Sequence, residues 1–367
     1  MSLTTVDARP WIIVVGGFLG AGKTTLLLAA ARELKRRGVR SAVVMNDQGE
    51  ALVDSEYASY ASAQSIDGLR QGEVTGGCFC CRFSELIGVM EELRAFSPEI
   101  IFAEPVGSCT DISATTLHPL REYSDQYRLS PFTVLVDPER AREVLAGDAD
   151  TNLKFLFEKQ LQEADVVCFS KSDRNSVTPS LDVFGAGDVR RLSAKTGDGV
   201  AAWLDEMLSG RLSAGSRILD IDYEQYACAE AALVWLNLEA EVRPAVAVSP
   251  AALLGPLFDE LDTKLSAGGI GIVHLKAIVR AESGFVKAAI CANGQEPDVE
   301  GNLAASPAAN HSLLMNLRAL GAAPEVRKIV EECLGRIDGE IDDLRISCFH
   351  PAAPRPERRI VGMRSGL

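Results

Sequence analysis

The feature that most constrains this chain is a glycine-rich loop near its start. Residues 17–25 read G-F-L-G-A-G-K-T-T and satisfy the phosphate-binding pattern G-x-x-x-x-G-K-[ST]. An apolar run at 11–15 comes before the loop and predicts a buried strand, and the run at 26–31 after it is typical of a helix. A strand, a glycine loop and a helix in this order aim backbone N–H groups at phosphate oxygens. The chain is therefore predicted to bind a nucleoside triphosphate together with Mg²⁺.

Individual residues of this loop have separate expected roles. Lys23 should reach the β- and γ-phosphates, and the Thr24 hydroxyl should bind Mg²⁺. The other expected nucleotide contacts in the loop are Gly17, Gly20, Ala21, Gly22 and Thr25. The alternative is a glycine-rich turn that contains Lys-Thr by chance, which the flanking strand and helix patterns disfavour.

Length and charge narrow the class of protein. A chain of 367 residues is long enough for two domains with substantial cores. Its net charge of −14 argues against general nucleic-acid binding, because that requires a basic surface to neutralise phosphates. No apolar run approaches the ~20 residues that span a bilayer, and the polar N-terminus lacks the layout of a signal peptide. We therefore expect a cytoplasmic protein that binds neither nucleic acid nor a membrane, with its nine cysteines as thiols or metal ligands.

The order of apolar runs predicts the domain organisation. The first ~210 residues alternate strand-like and helical runs, the signature of an α/β fold with a parallel sheet flanked by helices. We expect a P-loop domain over 1–212 and a smaller α+β domain over 217–350, with a Gly/Ser-rich linker around 209–216. The Pro- and Arg-containing tail over 351–367 is expected to be extended or poorly ordered.

Element positions follow from the same patterns. The strands expected in the first domain are 11–15, 41–45, 100–103, 132–136, 165–169 and 189–192. In the second domain we expect a strand over 234–242, a helix over 249–265, a hairpin of 271–280 with 284–290, and helices near 309–320 and 324–337. In parallel sheets the ligand binds beyond the carboxyl ends of the strands, and the polar motifs described next follow those ends.

A second informative motif, G-G-C-F-C-C, lies at 76–81. It places Cys78, Cys80 and Cys81 within reach of one cation, and the two glycines let the backbone curl so that the sulfurs converge. Zn²⁺ takes such thiolates at ~2.3 Å in a tetrahedral array, and Co²⁺ or Cu(I) would also accept them. The alternative is that these cysteines are small buried apolar side chains. The motif lacks a fourth ligand, which water, a partner protein or a distant residue would have to supply.

The segment E-P-V-G at 104–107 follows an expected buried strand. Glu104 at the strand end can orient Mg²⁺ or the attacking water, and Gly107 can donate its N–H to the γ-phosphate and move when that phosphate leaves. Lys23, Glu104 and Gly107 are therefore the predicted catalytic residues. Cys109 is placed to approach the cysteine cluster when this segment moves, and the alternative is a helix N-cap run with an incidental thiol.

Two further loops resemble the guanine-reading loops of GTPases. The run S-K-S-D after the fifth expected strand resembles the N-K-x-D element, in which Lys171 would stack over the base and Asp173 would pair with guanine. Ser170 stands where that element usually has Asn. The later S-A-K run resembles the loop whose backbone, here at Ser193 and Ala194, meets guanine O6. Guanine is therefore expected in preference to adenine.

Taken in order, the four motifs G-F-L-G-A-G-K-T-T, G-G-C-F-C-C, E-P-V-G and S-K-S-D resemble those of CobW-type GTPases. These metal-homeostasis proteins are related to UreG and HypB, the nickel-insertion GTPases of urease and hydrogenase maturation. The resemblance covers residues 11 to about 205 and is weaker over the second domain, which in the family is a small variable α+β module. It implies that the run Asn46-Asp47-Gln48-Gly49-Glu50, with Asp54, corresponds to the first switch. The family more often has Glu at position 47, and Asp47 keeps a carboxylate that could bind Mg²⁺. The alternative is a polar loop that ends a strand.

The residues and the resemblance together predict a GTP-hydrolysing metallochaperone. It would bind Zn²⁺ or Co²⁺ through Cys78, Cys80 and Cys81 under the control of Mg²⁺ and GTP, and deliver the metal to a client metalloprotein. The alternative is a GTPase that assembles or activates a cofactor enzyme, such as a corrinoid enzyme, with the cysteines in docking or redox. A homodimer is a further partner that related nucleotide switches suggest. A plain nucleotide-dependent kinase is disfavoured because the sequence carries no acceptor-site signature.

Overall fold

The chain divides into two compact units. The computed structural model describes residues 7–49, 53–66, 68–147, 149–174, 179–181 and 189–360, apart from the side chains of 60–65. Of these residues, those before 48, those from 58 to 226 and those from 354 onward form the first unit, and 48–57 with 227–353 form the second. This division departs from the linear one expected from the sequence, because a unit is defined by contacts in space.

The elements are numbered in chain order. The strands are β1 (Trp11–Gly17), β2 (Ser41–Asn46), β3 (Arg70–Val74), β4 (Ile100–Glu104), β5 (Arg128–Leu129), β6 (Thr133–Val136), β7 (Val166–Phe169), β8 (Arg190–Arg191), β9 (Leu233–Pro244), β10 (Gly271–Ala281), β11 (Gly284–Ile290), β12 (Asp298–Gly301), β13 (His311–Leu320) and β14 (Gly339–Phe349). The α-helices are α1 (Lys23–Arg36), α2 (Val53–Ser65), α3 (Phe83–Arg94), α4 (His118–Leu120), α5 (Pro138–Leu145), α6 (Thr151–Glu163), α7 (Val200–Met207), α8 (Tyr223–Ala231), α9 (Pro250–Ala267) and α10 (Ala323–Leu334). Among the described residues, no helix has both the length and the apolar character needed to cross a membrane.

The first unit is built on one parallel sheet. Its strands follow the order β3-β2-β4-β1-β6-β7-β8, with β5 beside β1. Strands β2 and β4 are buried along their whole length and β1 along nearly all of it, as parallel strands are when helices cover both faces. All these strands therefore point their carboxyl ends to one edge of the sheet. The expected α/β fold class is confirmed.

The sequence does not predict β3. Its residues R-Q-G-E-V are mostly polar, and only Val74 is buried. The strand lies at the edge of the sheet and pairs with β2. Charged side chains are common on such strands because they discourage pairing with another chain, and they also hide the strand from an analysis based on apolar runs.

The second unit is built on a six-stranded antiparallel sheet. Its strands follow the order β12-β11-β10-β13-β9-β14. Apolar side chains of α9 and α10, including Leu257, Leu261 and Val326, form one core with those of the strands. The smaller α+β domain is confirmed, and β10 and β11 form the expected hairpin, with Ala281 paired to Gly284.

The prediction of a helix near 309–320 is wrong, because this segment forms strand β13. Its Leu- and Met-rich sequence suits a helix, but β13 pairs with β10 on one side and with β9 on the other. The backbone hydrogen bonds of two neighbouring strands and the burial of alternate side chains outweigh the local propensity. The next helix is present as α10, close to its expected position.

The segment 48–57 belongs to the second unit through specific polar contacts. The Val53 N–H donates to Asn316 Oδ1 at 3.0 Å, and the Asp54 carboxylate pairs with Lys276 of β10. Burial raises the pKa of the Asp54 carboxyl, but the ammonium groups of Lys276 and Lys287 outweigh it and hold that pKa below its usual range. Asp54, which the resemblance assigns to the first switch, is thus held by an ion pair on the sheet of the second unit.

The end of the chain packs against the first unit. Residues 351–360 contain neither helix nor strand. The N–H of Glu357 nevertheless donates to Cys80 O at 2.9 Å, and that of Ile360 donates to Ala114 O at 3.0 Å. Residues 351–360 are thus irregular but hydrogen-bonded, and the expectation of an extended or poorly ordered tail stays a prediction. Residues 361–367 lie outside the described residues.

A buried carboxyl at the end of α6 links this helix to the segment after β4. Glu163 ends this helix and is fully buried, and its oxygens accept hydrogen bonds from Thr110 Oγ1 at 3.0 Å and the Ser113 N–H at 3.1 Å. Burial raises the pKa of the Glu163 carboxyl to about 8, and the nearby negative charge of Asp111 adds to this rise. The hydrogen bond from Ser113 opposes it.

We predict that Glu163→Gln removes a pH dependence of stability. The carboxyl has an ordinary pKa of 4.5 and a folded-state pKa of about 8, so the folded protein holds a proton that the unfolded chain has released between these values. This contribution to stability is complete below pH 4.5 and is lost as the pH rises through 8. Urea unfolding between pH 5 and 9 should show the wild type losing a few kcal/mol relative to Glu163→Gln.

The control is Glu158→Gln, at a half-buried position on the same helix. This variant keeps Glu163, so its stability should fall with pH as that of the wild type does. A difference between wild type and Glu163→Gln that stays constant across this pH range would contradict the prediction.

Candidate functional site

The phosphate loop lies between β1 and α1. Gly20 and Gly22 have positive φ angles of 78° and 89°, in the left-handed region that favours glycine. Lys23 is the first residue of α1, and its ammonium donates to Gly17 O at 2.9 Å across the loop. Ala21 lies in the loop, and Thr25 lies in the first turn of the helix. The loop and the positive end of the α1 dipole together suit an anion.

Two predicted Mg²⁺ ligands meet beside this loop. The Thr24 hydroxyl donates to both carboxylate oxygens of Glu104, at 3.1 and 3.0 Å. Glu104 is the last residue of β4, which pairs with β1, and both side chains are buried. A hydroxyl and a carboxylate are hard oxygen ligands of the kind that Mg²⁺ prefers, so this pair fits the ion.

Gly107 lies against the phosphate loop. A methyl group at this glycine would stand 2.8 Å from Leu19 Cδ2 and 3.1 Å from Lys23 Nζ. Such separations are shorter than ordinary van der Waals contacts, so the close approach requires glycine. The segment after β4 therefore lies next to the ammonium that is expected to hold the γ-phosphate.

Asp47 lies at the same edge of the sheet. In the pairing of β2 with β4, Met45 is opposite Glu104, and Asp47 follows two residues later. The Asp47 N–H donates to Val74 O at 3.2 Å, and the residue is half-buried. The strand register thus brings the predicted first-switch carboxylate and Glu104 to one side of the first unit.

The predicted guanine-reading residues form a second group, beyond β6 and β7. Lys171 Nζ donates to Asp137 Oδ2 at 2.7 Å, and Asp173 Oδ1 accepts a hydrogen bond of 2.6 Å from the Ser193 hydroxyl. This hydrogen bond joins the S-K-S-D and S-A-K loops, and Ala194 follows Ser193 in the latter. The Ser170 hydroxyl donates to Val136 O at 3.3 Å, so the residue in the usual Asn position is bonded to strand β6.

The charge of Asp173 suits its expected role. Burial raises the pKa of this carboxyl, but hydrogen bonds from Ser193 and from its own backbone, with the nearby charges of Arg174 and Lys195, outweigh the burial and lower it. The side chain is then a carboxylate at neutral pH, which can accept hydrogen bonds from two N–H groups of a base.

The structure brings the three motif cysteines together. The Sγ atoms of Cys78 and Cys80 are 2.8 Å apart, those of Cys78 and Cys81 are 3.2 Å apart, and those of Cys80 and Cys81 are 3.6 Å apart. Four sulfurs bound tetrahedrally at ~2.3 Å from Zn²⁺ would be about 3.8 Å apart. The three sulfurs therefore need to move apart by up to about 1 Å to bind the ion. Among the described residues, these three cysteines form a group of potential metal ligands whose sulfur atoms all lie within 4.8 Å of one another.

The cysteine loop is held by Asn46, which the resemblance places in the first switch but to which the sequence assigns no contact with the cysteines. This buried amide ends β2; its Oδ1 accepts the Phe79 N–H at 2.8 Å, and its Nδ2 donates to Val74 O at 2.8 Å and to Gly77 O at 2.7 Å. An amide at the end of a buried strand and next to Asp47 was the signal available in the sequence. Asn46 therefore joins the cysteine loop to the segment that contains the predicted switch carboxylate.

A fourth cysteine touches the cluster. Cys109 is buried, and its thiol hydrogen-bonds with that of Cys78. The thiols of Cys109, Cys80 and Cys81 hold the pKa of Cys78 well below its usual value, while the hydrogen bond with Cys78 raises the pKa of Cys80 and brings that of Cys81 to about 11. The cluster is therefore arranged to stabilise one thiolate, at Cys78, with neighbouring thiols as donors.

Comparison with known proteins places these motifs in a family. The family model described as "CobW/HypB/UreG, nucleotide-binding domain" matches residues 11–195. The zinc chaperone CobW of Pseudomonas aeruginosa is 31% identical over 185 residues, which cover 44% of this chain and 49% of that protein. The zinc-regulated GTPase metalloprotein activator 1 of Schizosaccharomyces pombe is 27% identical over 228 residues, which cover 60% of this chain and 50% of that protein. The chain thus spans about half the length of the curated relatives it matches.

Solved structures were compared as well. The Zn(II)-bound YjiA GTPase from E. coli aligns with 90% of this chain and 99% of its own, at 14% identity and a TM-score of 0.37. A likeness at this score supports no conclusion about this chain.

The family match covers half of the chain. It spans the phosphate loop, the cysteine loop, the E-P-V-G segment and both guanine-reading loops. The family expected from the motifs is confirmed: the chain belongs to the CobW/HypB/UreG family of nucleotide-binding proteins.

Proposed function

We propose that this protein is a GTP-hydrolysing metallochaperone. It binds Zn²⁺ or Co²⁺ through Cys78, Cys80 and Cys81, and the state of the bound nucleotide controls how tightly it does so. The observation that carries the proposal is the set of hydrogen bonds by which Asn46 holds the cysteine loop. Because Asn46 is followed by Asp47, a movement of the first switch reaches the metal ligands directly.

The nucleotide half of the proposal rests on the phosphate loop and its neighbours. Lys23, now bonded to Gly17 O, has the charge to neutralise the β- and γ-phosphates, and Gly107 is close enough to report whether the γ-phosphate is present. Thr24 and Glu104 would hold Mg²⁺, which when bound neutralises charge on the phosphate oxygens. Asp173 supplies the carboxylate for guanine, and Glu104 is the group that would orient the attacking water.

The metal half rests on the composition of the cysteine site. Three thiolates suit a soft or borderline divalent ion, and a ligand position outside the motif makes such a site exchangeable rather than closed. The two relatives quoted above are named as a zinc chaperone and a zinc-regulated metalloprotein activator, which supports zinc as the cargo and a metalloprotein as the client. The metal is cargo here, so its release to the client is part of the function.

We predict that Glu104→Gln lowers kcat for GTP hydrolysis by ~100-fold or more while GTP still binds. The amide cannot replace a carboxylate beside Thr24, whereas the phosphate loop itself is unchanged. Phosphate release at saturating GTP and Mg²⁺ measures kcat, and equilibrium binding of a labelled GTP analogue checks the loop.

The matched control is Glu99→Gln, just before the opposite end of β4, where the exposed carboxylate accepts the Arg40 N–H at 3.2 Å. It should hydrolyse GTP at the wild-type rate. Equal losses in the two variants, or none in Glu104→Gln, would refute the role of Glu104.

We also predict that nucleotide controls metal affinity. Zn²⁺ affinity, measured by chelator competition, should be at least tenfold higher with the Mg²⁺-bound non-hydrolysable GTP analogue than with GDP, a coupling of about 1.4 kcal/mol. Cys80→Ser should weaken Zn²⁺ binding and abolish this difference while retaining GTP, and the exposed Cys228→Ser should leave both unchanged.

Each other result has a definite meaning. Tight Zn²⁺ binding of equal affinity with the GTP analogue and with GDP would indicate a structural site and contradict the proposed control of metal affinity by the nucleotide. Failure to bind Zn²⁺ or Co²⁺ in either state would favour the second candidate, an activation factor for a cofactor enzyme with the cysteines in docking or redox.

A further inference from the structure

The cysteine loop contributes three sulfurs, but a tetrahedral site takes four ligands. Cys109 is the fourth sulfur at this place. It is 4% exposed and lies in the segment after β4, where its thiol contacts that of Cys78 but is outside the group of three sulfurs that lie within 4.8 Å of one another. It is separated from the loop by α3 and β4 along the chain, so the fold and not the motif brings it there.

The backbone of Cys109 is held firmly. Nε2 of Gln160, a buried residue of α6, donates to Cys109 O at 2.9 Å and to Gly107 O at 3.0 Å. The N–H of Thr110 donates to the hydroxyl of Tyr226 at 3.1 Å. One amide thus binds the carbonyls of both Gly107 and Cys109, so these two residues are tied to the same side chain.

This link reaches the nucleotide loop. A methyl group at Gly107 would be 3.1 Å from Lys23 Nζ, the group expected to hold the γ-phosphate. Cys109 follows Gly107 by two residues, a span of roughly 7 Å at full extension. Gly107 and Cys109 lie in one turn, closed by a hydrogen bond of 3.0 Å from the Cys109 N–H to Val106 O, and they share the Gln160 amide, so a movement of Gly107 displaces the backbone of Cys109.

We propose that Cys109 is the fourth thiolate of the metal site and the ligand through which the nucleotide acts on the metal. With the γ-phosphate in place, Gly107 and Cys109 are set so that four sulfurs bind the ion, and the thiol protons pass to solvent. After the phosphate leaves, Cys109 withdraws, and three sulfurs and an open position remain for a client ligand. The inference rests on the proposed function, since it requires Cys78, Cys80 and Cys81 to bind a metal.

The test counts sulfurs. X-ray absorption of the Zn²⁺-loaded wild type with the GTP analogue should show four sulfurs at ~2.3 Å, and with GDP three sulfurs and one lighter atom. With Co²⁺ as the probe and the GTP analogue bound, Cys109→Ser should lower the thiolate charge-transfer absorption by about one quarter, as one thiolate of four is lost. The spectrum of this variant should no longer respond to the nucleotide.

The controls separate this inference from the proposed function. Cys168→Ser, at another buried cysteine of the first unit, should give the wild-type spectrum. Cys109→Ala should give the same loss of absorption as Cys109→Ser, which shows that the loss does not depend on the serine hydroxyl. Three sulfurs in both nucleotide states of the wild type would overturn the role of Cys109 and leave the metallochaperone intact. Failure of the wild type to bind either metal would overturn both.

A separate observation concerns residues 354–360, which we call the strap. The strap crosses the cysteine loop: the Arg355 N–H donates to Cys81 Sγ at 3.1 Å, and the Glu357 N–H donates to Cys80 O at 2.9 Å. Cys81 is the least buried of the three motif cysteines. The strap therefore contacts the sulfur that solvent, or an incoming ligand, can reach most easily.

Two side chains that follow this contact anchor the strap. The Glu357 carboxylate accepts hydrogen bonds from the N–H and hydroxyl of Ser84, at 2.9 and 2.6 Å. Further on, Arg359 Nε donates to Asp111 Oδ2 at 2.7 Å, and the Asp111 side chain is almost fully buried. Asp111 follows Cys109 by two residues, so the strap is fastened both to the cysteine loop and to the segment after β4.

We infer that the strap is a latch that slows release of the metal. A client ligand has to replace Cys81 at the ion, and it can do so only after the Arg355 N–H leaves that sulfur. Removing 354–367 should raise the rate of Zn²⁺ transfer to a chelator at least tenfold and leave kcat for GTP hydrolysis unchanged. Glu357→Ala, which loses only the Ser84 anchor, should raise the transfer rate in the same direction by a smaller factor.

The control is Arg345→Ala, at an exposed ion pair with Glu239 in the second unit, which should transfer metal at the wild-type rate. Equal transfer rates in the wild type, the truncated chain and Glu357→Ala would overturn the latch. Should the truncated chain fail to fold, Glu357→Ala alone decides the question.

Discussion

The parallel pairing of β2, β4 and β1 is the constraint on which the rest of the site depends. It brings the ends of three strands to one edge, where Asn46, Glu104 and Gly17 are the last strand residues. From these positions the chain passes into the first switch, the E-P-V-G segment and the phosphate loop. A shift of one residue in this register would turn the buried side chains of β4 to the opposite face and separate Glu104 from Thr24.

Two buried amides hold the cysteine loop and the segment after β4. Asn46 binds the cysteine loop beside Asp47, and Gln160 binds the carbonyls of Gly107 and Cys109 in the segment after β4. Each such hydrogen bond contributes about 1 kcal/mol, but a buried partner left unsatisfied costs about 1–3 kcal/mol. The cost of breaking them favours movement of whole segments over the loss of single contacts, and whole-segment movement is what a switch requires.

The chemistry of the cysteine cluster follows from its neighbours. The sulfurs of Cys78, Cys80 and Cys81 are surrounded mainly by one another, and Cys109 adds a further thiol donor to Cys78. One thiolate is therefore favoured and further ones are opposed, since thiolates at this distance repel in a buried site. A divalent cation bound between the sulfurs would remove the repulsion between thiolates, as the proposed metal site requires.

The sequence by itself determined the parallel sheet, the phosphate loop, the cysteine motif and the family, because each of these depends on residues close together in the chain. The tertiary structure decided the rest. The sequence of β13 favours a helix, and it forms a strand because β9 and β10 pair with it, while β3 carries no apolar run because it lies at an edge. The contacts of Asn46, Cys109 and Glu357 are with partners about 30 to 280 positions away, so the local motifs alone do not specify them. Local patterns encode which elements form, whereas contacts between distant segments depend on the register and packing of the whole sheet, which no short stretch of sequence contains.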